Sequence, residues 1–223
     1  MHFLRCIFAE WALVRPRLLR TRFGAWLVLL GAALIWLGTR GSDPLGIALH
    51  AGALGAVLSA AFAAGSGADR AAFAITLTHP TTPLAMACGR WLATVIPAAA
   101  LTAACTVAIG GRSGAVLAGI VAAGAVAGCA LAAVLLAGTG AALVLFIFMA
   151  LVGAVPPEAL VGVAEPGAVR LGVASALELG PALWRYRDVA AGDPGALLHA
   201  VAWAMLGVVL ASGFVSRAAR RAS

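Results

Sequence analysis

The chain has 223 residues, of which 63% are hydrophobic and only 10% are charged, and its mean hydropathy is +1.05. Soluble domains carry roughly 25% charged residues, so this composition excludes an ordinary soluble domain and indicates an integral membrane protein. All fifteen basic residues are arginines, and the net charge is +7. In a membrane protein such arginines mainly mark the cytoplasmic segments, so we expect no nucleic-acid partner.

Residues 1–22 are predicted to form an amphipathic helix at the membrane interface. Phe3, Ile7 and Trp11 recur every four residues, and arginines such as Arg15 supply the charge. A basic helix with aromatic side chains on one face lies in the interface plane instead of crossing it. Pro16 is expected to end or kink the helix. A disordered basic tail is the alternative, whereas a cleaved signal peptide is disfavoured because the basic region is too long.

Six membrane spans are predicted to follow. The uncharged run from Gly114 to Val155 has to hold two of them, because a single helix of that length would reach about 63 Å across a hydrocarbon core of about 30 Å. We expect the turn between these two spans at Gly138 and Gly140. The spans together make a domain over 23–215, followed by a basic tail at 216–223, and they are 23–38, 45–64, 91–109, 114–137, 140–155 and 196–215.

The stretch from Gly65 to Arg90 is the main polar interruption between the early spans. It runs through a short amphipathic segment, Asp69 to Leu77, and then breaks at a proline pair. Most connections in compact folds have about 4–6 residues, so a loop this long suggests a short helix on the membrane face that another protein grips. The candidate contact residues are Asp69, Arg70, Phe73, Leu77, His79, Pro80, Pro83, Gly89 and Arg90.

A second long connection, Pro156 to Pro194, precedes the last span. Val169–Leu179 has helical character, but Arg170 and Glu178 argue against a full span. We expect short helices at the outer face that dip partway into the bilayer, with residues 184–187 (Trp-Arg-Tyr-Arg) at the membrane interface.

The distribution of arginines predicts the orientation. With the N-terminus inside, ten arginines fall in cytoplasmic segments and five in outer segments. Six spans then return the C-terminus to the cytoplasm, so we expect a multi-pass protein of the inner (plasma) membrane with both termini cytoplasmic.

The sequence lacks the common catalytic and cofactor-binding motifs. The chain contains no Lys and therefore no phosphate-binding GxxxxGK[ST] loop, and it has no HExxH, GxSxG or Cys/His cluster, so we expect neither a metal site nor an enzyme. Two histidines, His50 and His199, fall inside predicted spans at similar depth. They are tentative intramembrane polar residues that could meet as a pair, or could equally serve as helix–helix hydrogen-bond partners or face headgroups.

The layout resembles that of an ABC-2 type transporter permease. Such permeases combine an amphipathic N-terminal helix, six spans, a first cytoplasmic loop with a short helix and prolines, and a long outer segment before the last span. The most specific part is Asp69 to Pro97, where the family has an acidic short helix, a leucine, a proline break and Gly-Lys/Arg opening the third span. The residues that match are Asp69, Leu77, Pro80, Pro83, Gly89 and Arg90, whereas the several acids and the Gly-Thr pair usual in the family loop are missing.

The resemblance implies a mechanism. Permeases of this type pair with a second copy or a paralogue and bind separate P-loop ATPase subunits, so ATP would be held by the partner and not by this chain. The loop helix would dock on the ATPase, and the N-terminal helix would brace the bundle in the lipid membrane. The exported substrate would be amphiphilic, lipid-linked or drug-like.

Three alternatives stay open at this point. The size of the chain and its first cytoplasmic loop are also similar to those of the heme-exporter permease of cytochrome c maturation. A non-transporting membrane scaffold or assembly protein would share the composition. An intramembrane enzyme would have only the two histidines for its chemistry.

Overall fold

The computed structural model describes residues 2–20, 22–41, 43–64, 82–153, 155–156 and 180–222. Within these residues every regular element is helical, as the composition predicts. The long helices are α1 (His2–Arg20), α2 (Phe23–Arg40), α3 (Pro44–Ala64), α4 (Pro83–Ala108), α5 (Ser113–Ala137), α6 (Thr139–Leu151) and α8 (Pro194–Ala222). A single turn, α7 (Leu183–Tyr186), is followed by a 3-10 helix at Arg187–Ala191.

Five of the described helices, namely α2, α3, α4, α5 and α8, are long and apolar enough to cross a membrane. The all-helical class and the multi-pass character predicted from sequence are therefore confirmed. The predicted fifth span, 140–155, corresponds to a helix shorter than the other five, because α6 has only 13 residues and a length of about 20 Å. The break before it lies at Gly138, whose φ of 81° favours glycine and ends α5.

Two boundaries differ from those predicted. The third span begins at Pro83 and not at residue 91, because Pro83 occupies the first helical turn, where a proline is favoured, and Thr82 caps the helix by accepting a hydrogen bond from the Ala85 N–H at 3.2 Å. The last helix continues through Ala222, so residues 216–222 of the predicted tail are helical.

The centre of the bundle is built on contacts between small residues. A Cβ on Gly52 would lie 2.1 Å from the carbonyl oxygen of Gly119, and one on Gly207 would lie 2.1 Å from the carbonyl carbon of Gly128. Helix α5 therefore meets α3 and α8 backbone to backbone, which is how helices associate where lipid removes the hydrophobic drive. Gly124 and Gly128 have the GxxxG spacing typical of membrane helix contacts, but only Gly128 lies at such a backbone contact.

The bundle has two distinct ends. At one, called here the α1 end, α1 packs on the start of α4, and Val215 of α8 shares a buried cluster with Met86 and Leu135. At the other, called the Asp43 end, Asp43 before α3 meets Arg187, and Gly114 at the start of α5 lies against Ala190.

The chain returns to the interior before α8. The backbone N–H of Leu183 donates to the carbonyl of Gly153 at 2.9 Å, and Leu183 and Tyr186 are fully buried. Tyr186 is thus a core residue and not the interface residue that its neighbourhood predicts. The helical segment expected at 169–179 lies outside the described residues.

Candidate functional site: the junction of α1 and α4

Helix α1 is apolar on two sides. Its bundle face buries Cys6, Ile7, Glu10, Val14 and Leu18, while Leu4, Phe8 and Leu13 lie off this stripe and are exposed. The spacings of three and four residues on the buried face are those of one helical stripe. An amphipathic helix docked on one side and apolar on the other is suited to lie at the edge of a bilayer.

The four residues predicted to mark this helix therefore divide between environments. Ile7 is buried against the bundle, Trp11 is half-buried, and Phe3 is 42% exposed. Arg15 is exposed, and its guanidinium carbon lies 5.3 Å from the centre of the Trp11 ring. Pro16 does not end the helix, which continues to Arg20.

Gly89 lets α4 approach α1 closely. A Cβ at this position would lie 2.7 Å from both the carbonyl oxygen of Ile7 and the Cβ of Glu10, which no side chain tolerates without movement. The two helices touch here through their backbones, so the glycine sets their separation.

Arg90, the next residue, joins the two helices by a charged hydrogen bond. Its Nε donates to Glu10 Oε1 at 2.7 Å, and the two side chains are 2% and 6% exposed. A short bond between two charged groups is among the stronger kinds of protein hydrogen bond. Removing either partner alone would leave the other charge buried, so the pair makes the relative position of α1 and α4 specific.

The junction lies directly after the predicted ATPase-contacting loop. Of the predicted loop residues, Pro83, Gly89 and Arg90 belong to the first two turns of α4. The other six lie outside the described residues: Asp69, Arg70, Phe73, Leu77, His79 and Pro80. Helix α4, which follows this loop in the sequence, contacts α1 at Gly89 and Arg90.

The two histidines predicted to lie inside membrane spans, His50 and His199, have separate local contacts. The Nδ1 of His50 lies 2.8 Å from the carbonyl oxygen of Gly46, one turn earlier in α3. His199 accepts a hydrogen bond at Nε2 from the Trp203 indole N–H at 3.2 Å, and its ring centre lies 5.7 Å from that of Tyr186. Both bonds lie within one helix. Among the described residues no group of three His, Cys, Asp or Glu could hold a metal ion.

The Asp43 end holds a second ion pair, between segments far apart in sequence. Arg187 Nη2 donates to Asp43 Oδ2 at 2.8 Å, and the other oxygen of Asp43 accepts from the Gly46 N–H at 3.0 Å, which caps α3. Partial burial raises the pKa of Asp43, but the Gly46 hydrogen bond and the Arg187 guanidinium outweigh it and lower the pKa below its usual range. The pair ties the segment before α8 to the start of α3.

Sequence reasoning missed Glu10, Asp43 and Arg187 as contact residues. A signal was present for Glu10, since it occupies the buried stripe between Ile7 and Val14, where an acid requires a partner. No comparable local pattern marks Asp43 or Arg187.

Comparison with known proteins gives no relative: no protein-family model, no curated protein and no solved structure matches this chain.

Proposed function

We propose that this chain is the membrane-spanning permease subunit of an ABC-2 type ATP-driven transporter, with ATP hydrolysis on a separate subunit. The substrate would be an amphiphilic, lipid-linked or drug-like molecule that passes between two permease copies. The chain itself would contribute no ATPase chemistry.

The observation that carries this proposal is the junction of α1 with α4. A loop that binds an ATPase can do mechanical work on a bundle only if the helix it enters is firmly attached to the bundle. The first two turns of α4 meet this requirement, because Gly89 and Arg90 fix them to α1 through a backbone contact and a buried ion pair.

The path of the chain before α8 also supports the proposal. After the short α6, the chain enters the bundle again at Leu183–Tyr186 and leaves it along the 3-10 helix. A short fifth crossing by α6, followed by a partly inserted outer segment and a sixth crossing by α8, fits the layout expected from the resemblance.

The charge distribution supports a cytoplasmic α1 end. Helix α1 carries Arg5, Arg15, Arg17 and Arg20, and the C-terminal part of α8 adds three more arginines. Arginines flanking spans favour the cytoplasmic side, and this would place loop 65–82 where an ATPase could reach it. The membrane would be the inner (plasma) membrane.

The test is a pull-down of the tagged full-length chain in mild detergent. We expect a P-loop ATPase to copurify with the natural chain and to be lost when residues 69–82 are replaced by a Gly/Ser linker of equal length. A matched control replaces residues 157–170, on the opposite side in this topology, and should retain the ATPase. If no ATPase copurifies with a monodisperse natural chain, the transporter proposal is wrong and a scaffold role takes its place.

A further inference from the structure

Helix α1 lies across the end of the bundle, where it contacts the ends of three candidate spans. Near its start, Cys6 packs in one cluster with Ala85 in the first turn of α4. About 18 Å further along the helix, Leu18 shares a cluster with Phe23, the first residue of α2, and with Ala63, near the last residue of α3. A helix in this position lies at the level where the hydrocarbon core meets the lipid headgroups.

The side of α1 that is turned away from the bundle carries both apolar and basic groups. Leu4 and Phe8 are four residues apart, so they lie on one side of the helix, and they are 59% and 60% exposed. Arg15, seven residues after Phe8, projects from the same side, and its guanidinium carbon lies 5.3 Å from the centre of the Trp11 ring. The surface therefore combines an apolar strip with positive charge.

Among the described residues, all exposed charge at the α1 end is positive. Four exposed arginines lie there: Arg5, Arg15, Arg22 and Arg217. The one described acid at this end, Glu10, is 5% exposed and is bonded to Arg90. The exposed acids that the structure describes lie instead at the Asp43 end, and they are Asp43, Asp188 and Asp193. The α1 end is thus the one to which an anion is attracted.

The combination of charge and apolar surface selects an anionic lipid. A soluble acidic partner would match the arginines, but α1 lies at the edge of the hydrocarbon core, where Leu4 and Phe8 contact acyl chains. A zwitterionic lipid would cover these apolar side chains and bring no net negative charge. An anionic phospholipid supplies both the acyl chains and the charge that attracts basic residues near the membrane surface.

We propose that the α1 end is a binding site for anionic phospholipid headgroups, which contact Arg5 and Arg15 while their acyl chains cover the apolar strip. The site is independent of the proposed transport function. Because Glu10 and Arg90 fix α1 to α4, the bound headgroups lie at a set position beside the bundle.

The test measures which lipids stay bound to the full-length chain. The tagged protein is equilibrated in detergent micelles that contain equal amounts of phosphatidylglycerol and phosphatidylcholine with the same acyl chains. It is then recovered on its tag, and the bound lipids are quantified by mass spectrometry. We expect several-fold more phosphatidylglycerol than phosphatidylcholine on the natural chain, and several-fold less of this preference in Arg5→Gln/Arg15→Gln. Equal binding of the two lipids by the natural chain would overturn the proposal, whether or not the variant folds.

The matched control, Arg40→Gln/Arg112→Gln, removes two exposed arginines from the Asp43 end. Arg40 resembles Arg15 in its surroundings, since its guanidinium carbon lies 4.3 Å from the centre of the Trp36 ring, also four residues earlier. The control variant has the same net charge as the α1 variant and should keep the preference for phosphatidylglycerol. An equal fall in both variants would mean that the preference follows net charge alone and would contradict the proposal.

A competition arm separates a lipid site from a site for other anions. At constant ionic strength, neither inorganic phosphate nor polyglutamate should displace phosphatidylglycerol from the natural chain, because neither covers the apolar strip. Displacement by phosphate would indicate a site for free phosphate, and displacement by polyglutamate would indicate a docking surface for an acidic protein. Either result would contradict the proposal.

Discussion

Arg90 and Glu10, 80 residues apart in the chain, meet in a buried ion pair with an Nε–Oε1 distance of 2.7 Å. The pair lies beside Gly89, where the backbones of α1 and α4 touch. This arrangement makes the N-terminal helix a fixed part of the bundle, and it places the attachment at the helix into which loop 65–82 leads.

Breaking the buried ion pair should strongly destabilise the fold. Arg90→Met leaves the Glu10 carboxylate buried without its guanidinium partner, and removing one member of a buried pair costs about 3–5 kcal/mol. The double variant Glu10→Met/Arg90→Met should recover much of this loss, since it leaves neither charge buried. The measurement is the unfolding of all four proteins in mild detergent as a double-mutant cycle. Equal and additive losses would show that the two side chains do not interact.

A side chain at position 89 should displace α1. In Gly89→Val the added atoms would collide with the Ile7 carbonyl and with Glu10, so α1 has to move away from α4. Cys6 is buried on the α1 face that packs on Ala85, and it should then react faster with a maleimide. The measurement uses a background with the other three cysteines replaced by Ser. Gly24→Val, in open space on α2, is the control and should leave the Cys6 rate unchanged.

The crossing of α5 with α8 should not tolerate a larger residue. Gly207→Leu places a side chain against the Gly128 backbone, and overpacking of this kind costs typically 1–3 kcal/mol or more. Gly213→Leu lies six residues further along α8, where a Cβ meets nothing within 4 Å, and serves as the matched control. Melting temperatures in detergent should fall for the first variant only; an equal fall in both would point to helix propensity and not to the crossing.

The Asp43–Arg187 pair should contribute little and in a pH-dependent way. The Asp43 and Arg187 side chains are 52% and 42% exposed, so Asp43→Asn should cost at most about 1 kcal/mol at pH 7. Because the folded-state pKa of Asp43 is lowered, its contribution is complete above the usual Asp range and is lost as the pH falls through the lowered value, below about pH 4.

Thermal unfolding of the natural chain and of Asp43→Asn between pH 7 and pH 3 checks this prediction. The difference between the two melting temperatures should shrink toward the acid end, and 1 M salt should reduce it at pH 7 because exposed charges are screened. A difference that grows as the pH falls would contradict the lowered pKa.

The sequence by itself determined the class of the protein. Long uncharged runs with two polar interruptions require helices that cross a bilayer, since only helices and closed barrels satisfy their backbone groups in lipid. The spacing of apolar residues likewise identified α1 as amphipathic, because the 3.6-residue period of a helix is a local property of the chain. These features depend on neighbours in sequence, so they can be read without knowing the fold.

Only the tertiary structure decided which residues meet. Glu10 with Arg90, Asp43 with Arg187, and Gly128 with Gly207 are partners from distant segments. In a chain so rich in Ala and Gly many positions could provide such contacts, and the choice among them depends on how the helices cross. The start of α4 at Pro83, the short α6 and the buried Tyr186 were missed for a related reason: a proline or an aromatic residue next to charges has several local interpretations, and the packing of the surrounding helices selects one.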